Sequence, residues 1–330
     1  MEYDFIAIGD LATDAFIRLK DAEVHCDVSH EHCQICLKFA DKIPYESVTV
    51  VPAVGNSPNA AAGAARLGLK TALVTNIGAD LHGKEALTAL EKNGVDNKFV
   101  TTHEGQPTNY HYVLWYEADR TILVKHEPFD YKLPELGKPK WIYLSSMGQS
   151  SEAFHDEIAS YLENNPEIKL AFQPGTFQIA LGTTRLARIY KRTEIFFCNV
   201  EEAKRILKTD EPDVKILLEQ INKLGPKIIV ITDGPAGASA RDEAGVVWQM
   251  PIYPDPKPPL ERTGAGDAFA STVVSALALG EPLEKALAWG PINSMSVVQS
   301  VGAQQGLLTR EQLEKYLAEA PIDYQAKKIT

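Results

Sequence analysis

A carboxylate directly follows a glycine-rich turn in residues 261–271, ERTGAGDAFAS. Gly264 and Gly266 precede Asp267, and the apolar, alanine-rich segment that follows predicts a helix. Amide groups at a helix N-terminus have no partner within the helix and carry a partial positive charge, so anions bind there readily. The stretch therefore indicates either a turn in which Asp267 caps a helix, or a phosphate-binding loop in which Asp267 accepts a proton.

A second glycine turn follows the apolar run KIIVIT at residues 227–232. Such a run is typical of a strand that is buried on both faces, and Gly234 and Gly237 come next in TDGPAGA. Two glycine turns at strand ends in one half of the chain favour a bound nucleotide. The sequence contains no G-x-x-x-x-G-K-[ST] motif and no G-x-G-x-x-G after its first strand, which argues against a P-loop protein and a nicotinamide-dependent dehydrogenase.

The elements that must position these turns alternate between strands and helices. Strands are predicted at residues 5–9, 48–51, 71–75, 141–144, 170–172, 194–198 and 227–232. Helices are predicted from Asn59, as a cap, to Gly68, and at 83–92, 152–163, 201–207, 214–224, 268–279, 283–299 and 310–318. This alternation predicts an α/β fold, a three-layer αβα sandwich with a mostly parallel central sheet.

Two segments interrupt the alternation and predict a small β lid. Residues 17–47 are polar and rich in histidine, cysteine and charge, and residues 108–126 alternate like a hairpin around 117–120. Both lie between units of the main sheet, so together they would cover the carboxyl ends of its strands. We therefore expect a large nucleotide- and substrate-binding domain of residues 1–12, 53–105 and 128–330, and a lid of residues 13–52 and 106–127.

Composition excludes several classes of function. The chain has 330 residues, 45% of them hydrophobic, which is the composition of an ordinary globular protein. A net charge of -11 and the lack of a Lys/Arg block argue against nucleic-acid binding. The start of the sequence does not read as a signal peptide, and no run approaches the roughly 18 apolar residues of a membrane span. We expect a cytoplasmic protein with no membrane partner.

Four motifs make the chain resemble the PfkB-type carbohydrate kinases, which have the ribokinase-like fold. They are TGAGDAF at 263–269, VGNSPNAA at 54–61 followed by RLG and IGADLHG, NVEE at 199–202, and TDGPAGA at 232–238. They occur in the family's order over nearly the whole chain. The resemblance implies an ATP-dependent, Mg²⁺-requiring kinase that transfers the γ-phosphoryl group to a hydroxyl of a sugar, as ribokinases and fructokinases do.

The resemblance also implies a role for each matching residue. Asp267 would be the general base, and the anion hole would be formed by the amides of Gly264, Ala265 and Gly266. Residues expected around the nucleotide and its Mg²⁺ are Thr232, Gly234, Gly237 and, near the adenine, Asn293, with Asn199 and Glu202 holding the metal. Residues expected to bind the substrate are Asp14, Gly55, Asn56 and Asn59. Simpler roles remain open for three of them: Asn59 as a helix cap, Glu202 as a surface helix residue and Asp14 as a turn residue.

Three departures from the family pattern bear on specificity. The family usually has an acidic residue and two threonines before the glycines, whereas this chain has Glu261, Arg262 and Thr263, which leaves binding of a monovalent cation open. Val54 replaces the first of the family's two glycines, so contacts near Asn56 are expected to differ. Relatives often carry Asp or Asn where this chain has the segment FQPGTFQ at 172–178.

A cluster of cysteine and histidine in the predicted lid suggests a metal site. Its members are Cys26, Cys33 and Cys36, with His25, His30 and His32. Three thiolates and one imidazole would suit a structural zinc ion. The alternative, which we favour, is a polar lid insertion with reduced thiols, since four cysteines in a chain of this length do not indicate a disulfide scaffold.

Two other functions compete with a sugar kinase. A nucleoside kinase of the same fold is supported by the lid aromatics, which could stack on a base: Tyr110, Tyr112, Trp115 and Tyr116. A catalytically silent sensor of sugars or nucleotides is argued against by the intact Asp267 and glycine turn. An exposed edge of the lid sheet would also allow a homodimer.

Overall fold

The computed structural model describes residues 2–27, 33–117 and 119–329. Their strands are β1 (Phe5–Ile8), β2 (Ala12–Leu19), β3 (Glu23–Cys26), β4 (Cys33–Cys36), β5 (Tyr45–Val54), β6 (Thr71–Gly78), β7 (Val95–Asp96), β8 (Val100–His103), β9 (Asn109–Tyr116), β10 (Asp119–Leu123), β11 (Trp141–Leu144), β12 (Lys169–Phe172), β13 (Thr193–Asn199), β14 (Ile228–Thr232), β15 (Ala238–Arg241), β16 (Val247–Met250) and β17 (Lys327–Ile329). Their α-helices are α1 (Asn56–Arg66), α2 (Leu81–Lys92), α3 (Phe154–Asn164), α4 (Thr176–Arg185), α5 (Ala187–Arg192), α6 (Val200–Leu207), α7 (Val214–Asn222), α8 (Ala265–Ala278), α9 (Leu283–Val297) and α10 (Arg310–Ala318).

A large sheet forms the centre of the fold. Its strand order is β17-β16-β15-β14-β13-β12-β11-β1-β6-β7, and β8 also pairs with β6. The strands from β6 to β14 in this order are parallel, whereas β15, β16 and β17 are antiparallel additions at one edge. The predicted mostly parallel sheet is confirmed. Because the carboxyl ends of parallel strands meet at one edge of a sheet, the loops after β1, β12, β13 and β14 come together there.

Helices cover both faces of the large sheet. Successive side chains of a strand point to opposite faces, and in β1 Phe5 and Ala7 pack in the apolar cluster of α1, α8 and α9. Ile6 and Ile8 pack in a second cluster, with α3, α6 and α7. An apolar core on each face of the sheet means that the helices and the sheet form three layers. The predicted three-layer arrangement is therefore confirmed.

A separate small sheet has the order β10-β9-β2-β5. Strand β2 runs parallel to β9 and antiparallel to β5, and β9 and β10 form a hairpin in the segment predicted to be one. Strands β3 and β4 form a further two-stranded hairpin. A small sheet beside the main one is therefore confirmed, while its division from the rest as a lid domain stays a prediction.

Two local predictions are wrong. Helix α1 begins at Asn56 after Gly55, so Asn59 lies within its first turn and is not its cap. Helices α4 and α5 occupy residues 176–192, for which we predicted no element. The helical pattern there is interrupted at Gly182, which has a φ of 83° inside α4. No helix among the described residues is both long and apolar enough to cross a bilayer.

The cysteine cluster does not form the zinc site that its composition suggested. Cys26 and Cys33 are cross-strand neighbours in the β3–β4 hairpin and are joined by a disulfide, so our expectation of reduced thiols is wrong for this pair. A disulfide leaves Cys36 as the single thiol of the proposed ligand set. His30 and His32 lie outside the described residues, among which no group of three His, Cys, Asp or Glu side chains could hold a metal ion.

Candidate active site

A cavity of about 540 Å³ lies between the carboxyl edge of the large sheet and the inward face of the small sheet. Its walls combine residues that follow strands of the large sheet with residues of β9 and β10. Its lining residues include Asp10, Asn56, Gln173, Glu202, His111 and Arg120. Because the outer ends of parallel strands are where α/β proteins bind ligands, this cavity is the candidate active site.

Three amide side chains converge on Asp267 in this cavity. Asn56 Nδ2 donates to Asp267 Oδ1 at 2.7 Å, and Asn59 Nδ2 donates to Oδ2 at 2.8 Å. Gln173 Nε2 donates more weakly to Oδ1, at 3.3 Å. Asn56 and Asn59 can reach the same carboxylate because residues three apart lie on one face of a helix.

Neighbouring groups hold two of these amides in their orientation. Tyr143, which is fully buried, donates its hydroxyl to Gln173 Oε1, so the NH₂ group of Gln173 must face Asp267. Gln304 Nε2 donates to Asn59 Oδ1 at 2.9 Å, which has the same effect on Asn59. The carboxylate of Asp267 is therefore held by donors that cannot easily turn away.

The pKa of Asp267 is raised above its ordinary value. Its burial in the cavity is the largest cause, and the hydrogen bonds from Asn59, Asn56 and Gln173 oppose it, as does the charge of Arg120. A carboxylate of raised pKa binds a proton more tightly, which makes it a better general base near neutral pH.

The glycine turn beside Asp267 is built to bring backbone close to the cavity. Gly264 adopts a left-handed conformation with φ 80° just before α8 begins, and a β-carbon there would overlap Ala303. Glu261, which is 2% exposed, accepts hydrogen bonds from the amides of Thr263 (2.6 Å) and Gly302 (2.8 Å), and these anchor the turn.

The start of α8 leaves room for an anion. Apart from its chain neighbours and the backbone of its own helix, no atom of the described residues lies within 4 Å of where a β-carbon on Gly266 would be, and the residue lines the cavity. First-turn amides have no acceptor within their own helix, so their N–H groups are available to a negatively charged ligand. The geometry therefore joins an anion-binding helix terminus to a carboxylate in one cavity.

Asn199 and Glu202 form a reciprocal cap at the start of α6. Asn199 Oδ1 accepts from the Glu202 amide at 2.8 Å, and Glu202 Oε2 accepts from the Asn199 amide at 2.9 Å. Both residues line the cavity. Burial raises the pKa of the Glu202 carboxyl, with Arg205 among the groups that oppose the rise. A partly buried carboxylate oxygen with an amide oxygen beside it fits a hard cation such as Mg²⁺.

The four residues that the sequence assigned to the nucleotide itself do not all line the cavity. Thr232 lines the cavity, whereas Gly234 and Gly237 form the turn after β14 and are not among its lining residues in the described chain. Asn293 is fully buried between α8 and α9, where it donates to Thr272 Oγ1 at 2.7 Å and accepts from the Leu308 amide at 3.0 Å. The structure thus places the Asn293 side chain inside the protein, away from the cavity.

The lid aromatics do not reach the cavity either. Within the described residues, none of the four lines it. Trp115 is buried, donates its indole N–H to the Glu117 carbonyl at 3.0 Å and packs against Arg18. Tyr112 is 48% exposed on the other face of the small sheet. The observation on which the nucleoside hypothesis depended is therefore not found.

Sequence reasoning missed several charged residues of the cavity. Asp10 accepts three hydrogen bonds of 2.7 Å, from His126 Nδ1, the Tyr131 hydroxyl and the Gly148 amide. Asp14 lies 3.3 Å from His111 Nδ1. Asp10 could have been noticed, because it directly follows the first predicted strand.

Arg120 is a further cation that the sequence did not single out. It lies on β10 opposite Trp115 and lines the cavity. Its Nε is buried and has no hydrogen-bond partner among the described residues. A charge in a predicted hairpin turn is normally exposed, so only the fold of the hairpin reveals that this one lines the cavity and that its charge acts on Asp267.

Comparisons with known proteins agree with this geometry. The chain is 25% identical over 340 residues to a 5-dehydro-2-deoxygluconokinase of Geobacillus thermodenitrificans, covering 95% of this chain and 93% of the relative. It is 28% identical over 296 residues to a ribokinase of Bacillus subtilis, covering 85% and 92%.

Solved structures share the fold. An Arabidopsis thaliana ribokinase complexed with ribose and ATP superposes with a TM-score of 0.78 at 20% identity, covering 96% of this chain and 99% of that one. A Methanocaldococcus jannaschii nucleoside kinase has a TM-score of 0.77 at 18% identity, with the same coverage. Residues 33–310 match the pfkB family carbohydrate kinases. Since that match spans most of its length, the chain belongs to the pfkB family of carbohydrate kinases and is a phosphotransferase that acts on an alcohol group.

Proposed function

We propose that this protein transfers the γ-phosphoryl group of ATP to a hydroxyl group of a sugar, with Asp267 as the general base. The observation that carries the proposal is the convergence of three amide donors on Asp267, next to the glycine turn at the start of α8. That combination supplies a proton acceptor and an anion-binding terminus in one cavity. The relatives named as ribokinase and 5-dehydro-2-deoxygluconokinase support a sugar as the acceptor.

The chemistry requires positioning and stabilisation of charge. Phosphoryl transfer passes through a loose transition state with negative charge on the transferred group. In our proposal the amides of Gly264, Ala265 and Gly266 stabilise that charge, and Asp267 accepts the proton of the attacking hydroxyl. Arg120 lines the same cavity, its Nε has no hydrogen-bond partner among the described residues, and its charge acts on Asp267. Preorganised donors of this kind typically contribute about 10²–10³ each in rate.

The nucleotide and its metal would lie along the ends of β13 and β14. Thr232, Gly234 and Gly237 would flank the nucleotide, and Asn199 and Glu202 would hold Mg²⁺. When bound, Mg²⁺ supplies positive charge to the phosphate oxygens. Binding of a monovalent cation, which the sequence left open, is not part of this proposal.

The acceptor would bind on the other side of Asp267. Asp14, Gly55, Asn56 and Asn59 are the proposed contacts to its hydroxyl groups. Gly55 has a φ of 123°, and a β-carbon there would lie 2.8 Å from the Asp10 carbonyl oxygen, so glycine is needed for this close approach. We propose that the small sheet acts as the lid that excludes water when both substrates are bound.

A panel of acceptors tests this function. The panel contains D-ribose, D-fructose, D-gluconate and adenosine. We expect ADP release, measured in a coupled assay with ATP and Mg²⁺, to require one of the three sugar compounds. Release with adenosine alone would favour a nucleoside kinase. Absence of release with every acceptor, together with nucleotide binding by calorimetry, would favour a silent sensor.

We also propose that two copies associate through the outward face of the lid sheet, in the cytoplasm. Cross-strand register places Val50, Ala15, Tyr112 and Leu123 in one row across that face. Three of them are large apolar residues that are each 47–52% exposed. A contiguous apolar sheet face of this kind is typical of a surface that is covered by a partner.

A further inference from the structure

Two histidine–aspartate pairs line the same cavity as Asp267. His126 Nδ1 lies 2.7 Å from Asp10 Oδ2, and His111 Nδ1 lies 3.3 Å from Asp14 Oδ1. The two rings pack edge to face, with 5.5 Å between their centroids. The pairs come from both sheets, since Asp10 follows β1 whereas His111 belongs to β9.

The Asp10 carboxylate determines which nitrogen of the His126 ring is free. An ionised carboxylate accepts hydrogen bonds and cannot donate them, so in this pair the proton is on Nδ1. A neutral imidazole then has a lone pair on Nε2. Asp10 also accepts from Tyr131 and Gly148, which fixes its position and therefore the orientation of the His126 ring.

The free nitrogens have no protein partner. Neither Nε2 has a hydrogen bond to any described residue, and His111 Nε2 is buried. A buried polar atom without a partner costs free energy, so such an atom in a cavity indicates a ligand that supplies the missing group. At His126 Nε2 the missing group is a hydrogen-bond donor. In the other pair Asp14 Oδ1 is also buried without a partner among the described residues, and it too can only accept.

The local charge argues against an anionic ligand group at this position. Even if both imidazoles were protonated, Asp10 and Asp14 would balance them, so the pairs never carry a net positive charge. Arg120 pairs in register with Trp115, four residues along β9 from His111, which is about 13 Å between backbones at the usual rise of a strand, and its charge acts on Asp267. Hydroxyl groups, which are neutral and can donate, match what the two rings offer.

We infer that His111 and His126 are specificity-determining residues that select an uncharged polyol segment with two neighbouring hydroxyl groups. Each Nε2 accepts a hydrogen bond from one hydroxyl. Phe177 packs edge to face on His126, with 5.5 Å between ring centroids, and offers an apolar wall to the C–H groups of the sugar. The inference rests on the proposed function and narrows its substrate class to neutral sugars or cyclic polyols, in preference to sugar acids.

Replacing each histidine by asparagine or by glutamine tests the roles of its two ring nitrogens separately. Asparagine places its amide near the position of Nδ1 and keeps the donor to the carboxylate, but it has nothing at Nε2. Glutamine can place its amide oxygen near the position of Nε2. We therefore expect His126→Asn and His111→Asn to raise KM for the preferred sugar by about tenfold or more. KM for ATP and kcat should stay within about twofold, and His126→Gln should recover part of the loss.

Sugar analogues that lack one hydroxyl group identify which hydroxyl each histidine contacts. Removing a contacted hydroxyl should weaken binding to the wild type and cause a smaller loss in the corresponding Asn variant, because the hydrogen bond is already missing. Thr121→Ala, at an exposed residue of β10, is the control and should match the wild type. Unchanged KM in both Asn variants, or a wild type that prefers D-gluconate to D-ribose, D-fructose and myo-inositol, would overturn the inference.

Direct binding separates this inference from the proposed function. If the wild type phosphorylates a neutral sugar but the Asn variants bind it equally well, only the inference fails. If no sugar is phosphorylated, the proposed function fails, and calorimetry with the same sugars decides the inference. Binding that the Asn variants weaken would support it, whereas equal binding or none would refute it.

Discussion

Asp267→Asn separates the chemical role of this side chain from its role in folding. The substitution preserves size and removes the ability to accept a proton. A general base contributes about 10²–10⁴ in rate, so we expect kcat to fall by this factor, which is about 3–5 kcal/mol in the activation barrier. Circular dichroism should show an unchanged fold.

The structure also predicts how the folded state accommodates the new amide. Asn59 and Gln173 are held by Gln304 and Tyr143, so they must keep donating. Asn56 has no such constraint among the described residues and can rotate to accept from the new NH₂ group. The carboxamide oxygen then accepts from Asn59. In the wild type Gln173 Nε2 donates to the same oxygen as Asn56, at 3.3 Å. The variant places its NH₂ group there, so we expect this one weak hydrogen bond to be lost.

The stability of the variant should depend on pH in a defined direction. Because burial raises the pKa of Asp267, the folded state binds this proton more tightly than the unfolded chain does. The stabilisation is fully present below the unfolded pKa and is lost as pH rises through the folded pKa. Above that pH the ionised carboxylate destabilises the wild type, and asparagine removes the cost. The Tm of the variant should thus equal or exceed that of the wild type at neutral pH, and the difference should shrink at acidic pH.

The assays are steady-state ADP release and thermal melts between about pH 4 and 8. Asp323→Asn, at an exposed aspartate after α10 that is not among the cavity-lining residues of the described chain, is the matched control and should change neither kcat nor Tm. A kcat within about tenfold of the wild type would refute Asp267 as the base. A Tm that falls at neutral pH and recovers at acidic pH would refute the account of its burial.

Three further substitutions test separate parts of the site. Gln173→Met removes a hydrogen bond that lowers the pKa of Asp267, so the acidic limb of the kcat/KM profile should move to higher pH; an unmoved limb would contradict the contact. Glu202→Gln removes the carboxylate charge proposed to hold the metal. It should therefore raise the Mg²⁺ concentration needed for half-maximal activity and leave KM for the sugar unchanged; an unchanged Mg²⁺ titration would exclude this site. Val50→Asp places a charge on the exposed apolar face of the lid and should convert dimers to monomers in light scattering; a wild type that is already monomeric would show the dimer proposal to be wrong.

Local patterns in the sequence were sufficient to predict most strands of the large sheet. The bounds of β11 and α10 are those predicted, and the apolar run at 227–232 became β14. These elements follow from apolar periodicity and caps, which are properties of neighbouring residues. The start of α1 was misplaced because Gly55, at φ 123°, ends the strand and begins the helix without a side-chain cap.

Sequence alone determined the type of fold and, through four motifs, the family and its candidate base. It could not determine which side chains meet in the cavity. Asn56 and Gln173 lie 211 and 94 residues from Asp267. They meet because the end of β12 in the large sheet and the end of β5 in the small sheet both lie beside the start of α8. The same holds for the two histidine–aspartate pairs, since pairing between β2 and β9 sets His111 beside Asp14. Contacts of this kind depend on the packing of whole elements, and only the tertiary structure decides them.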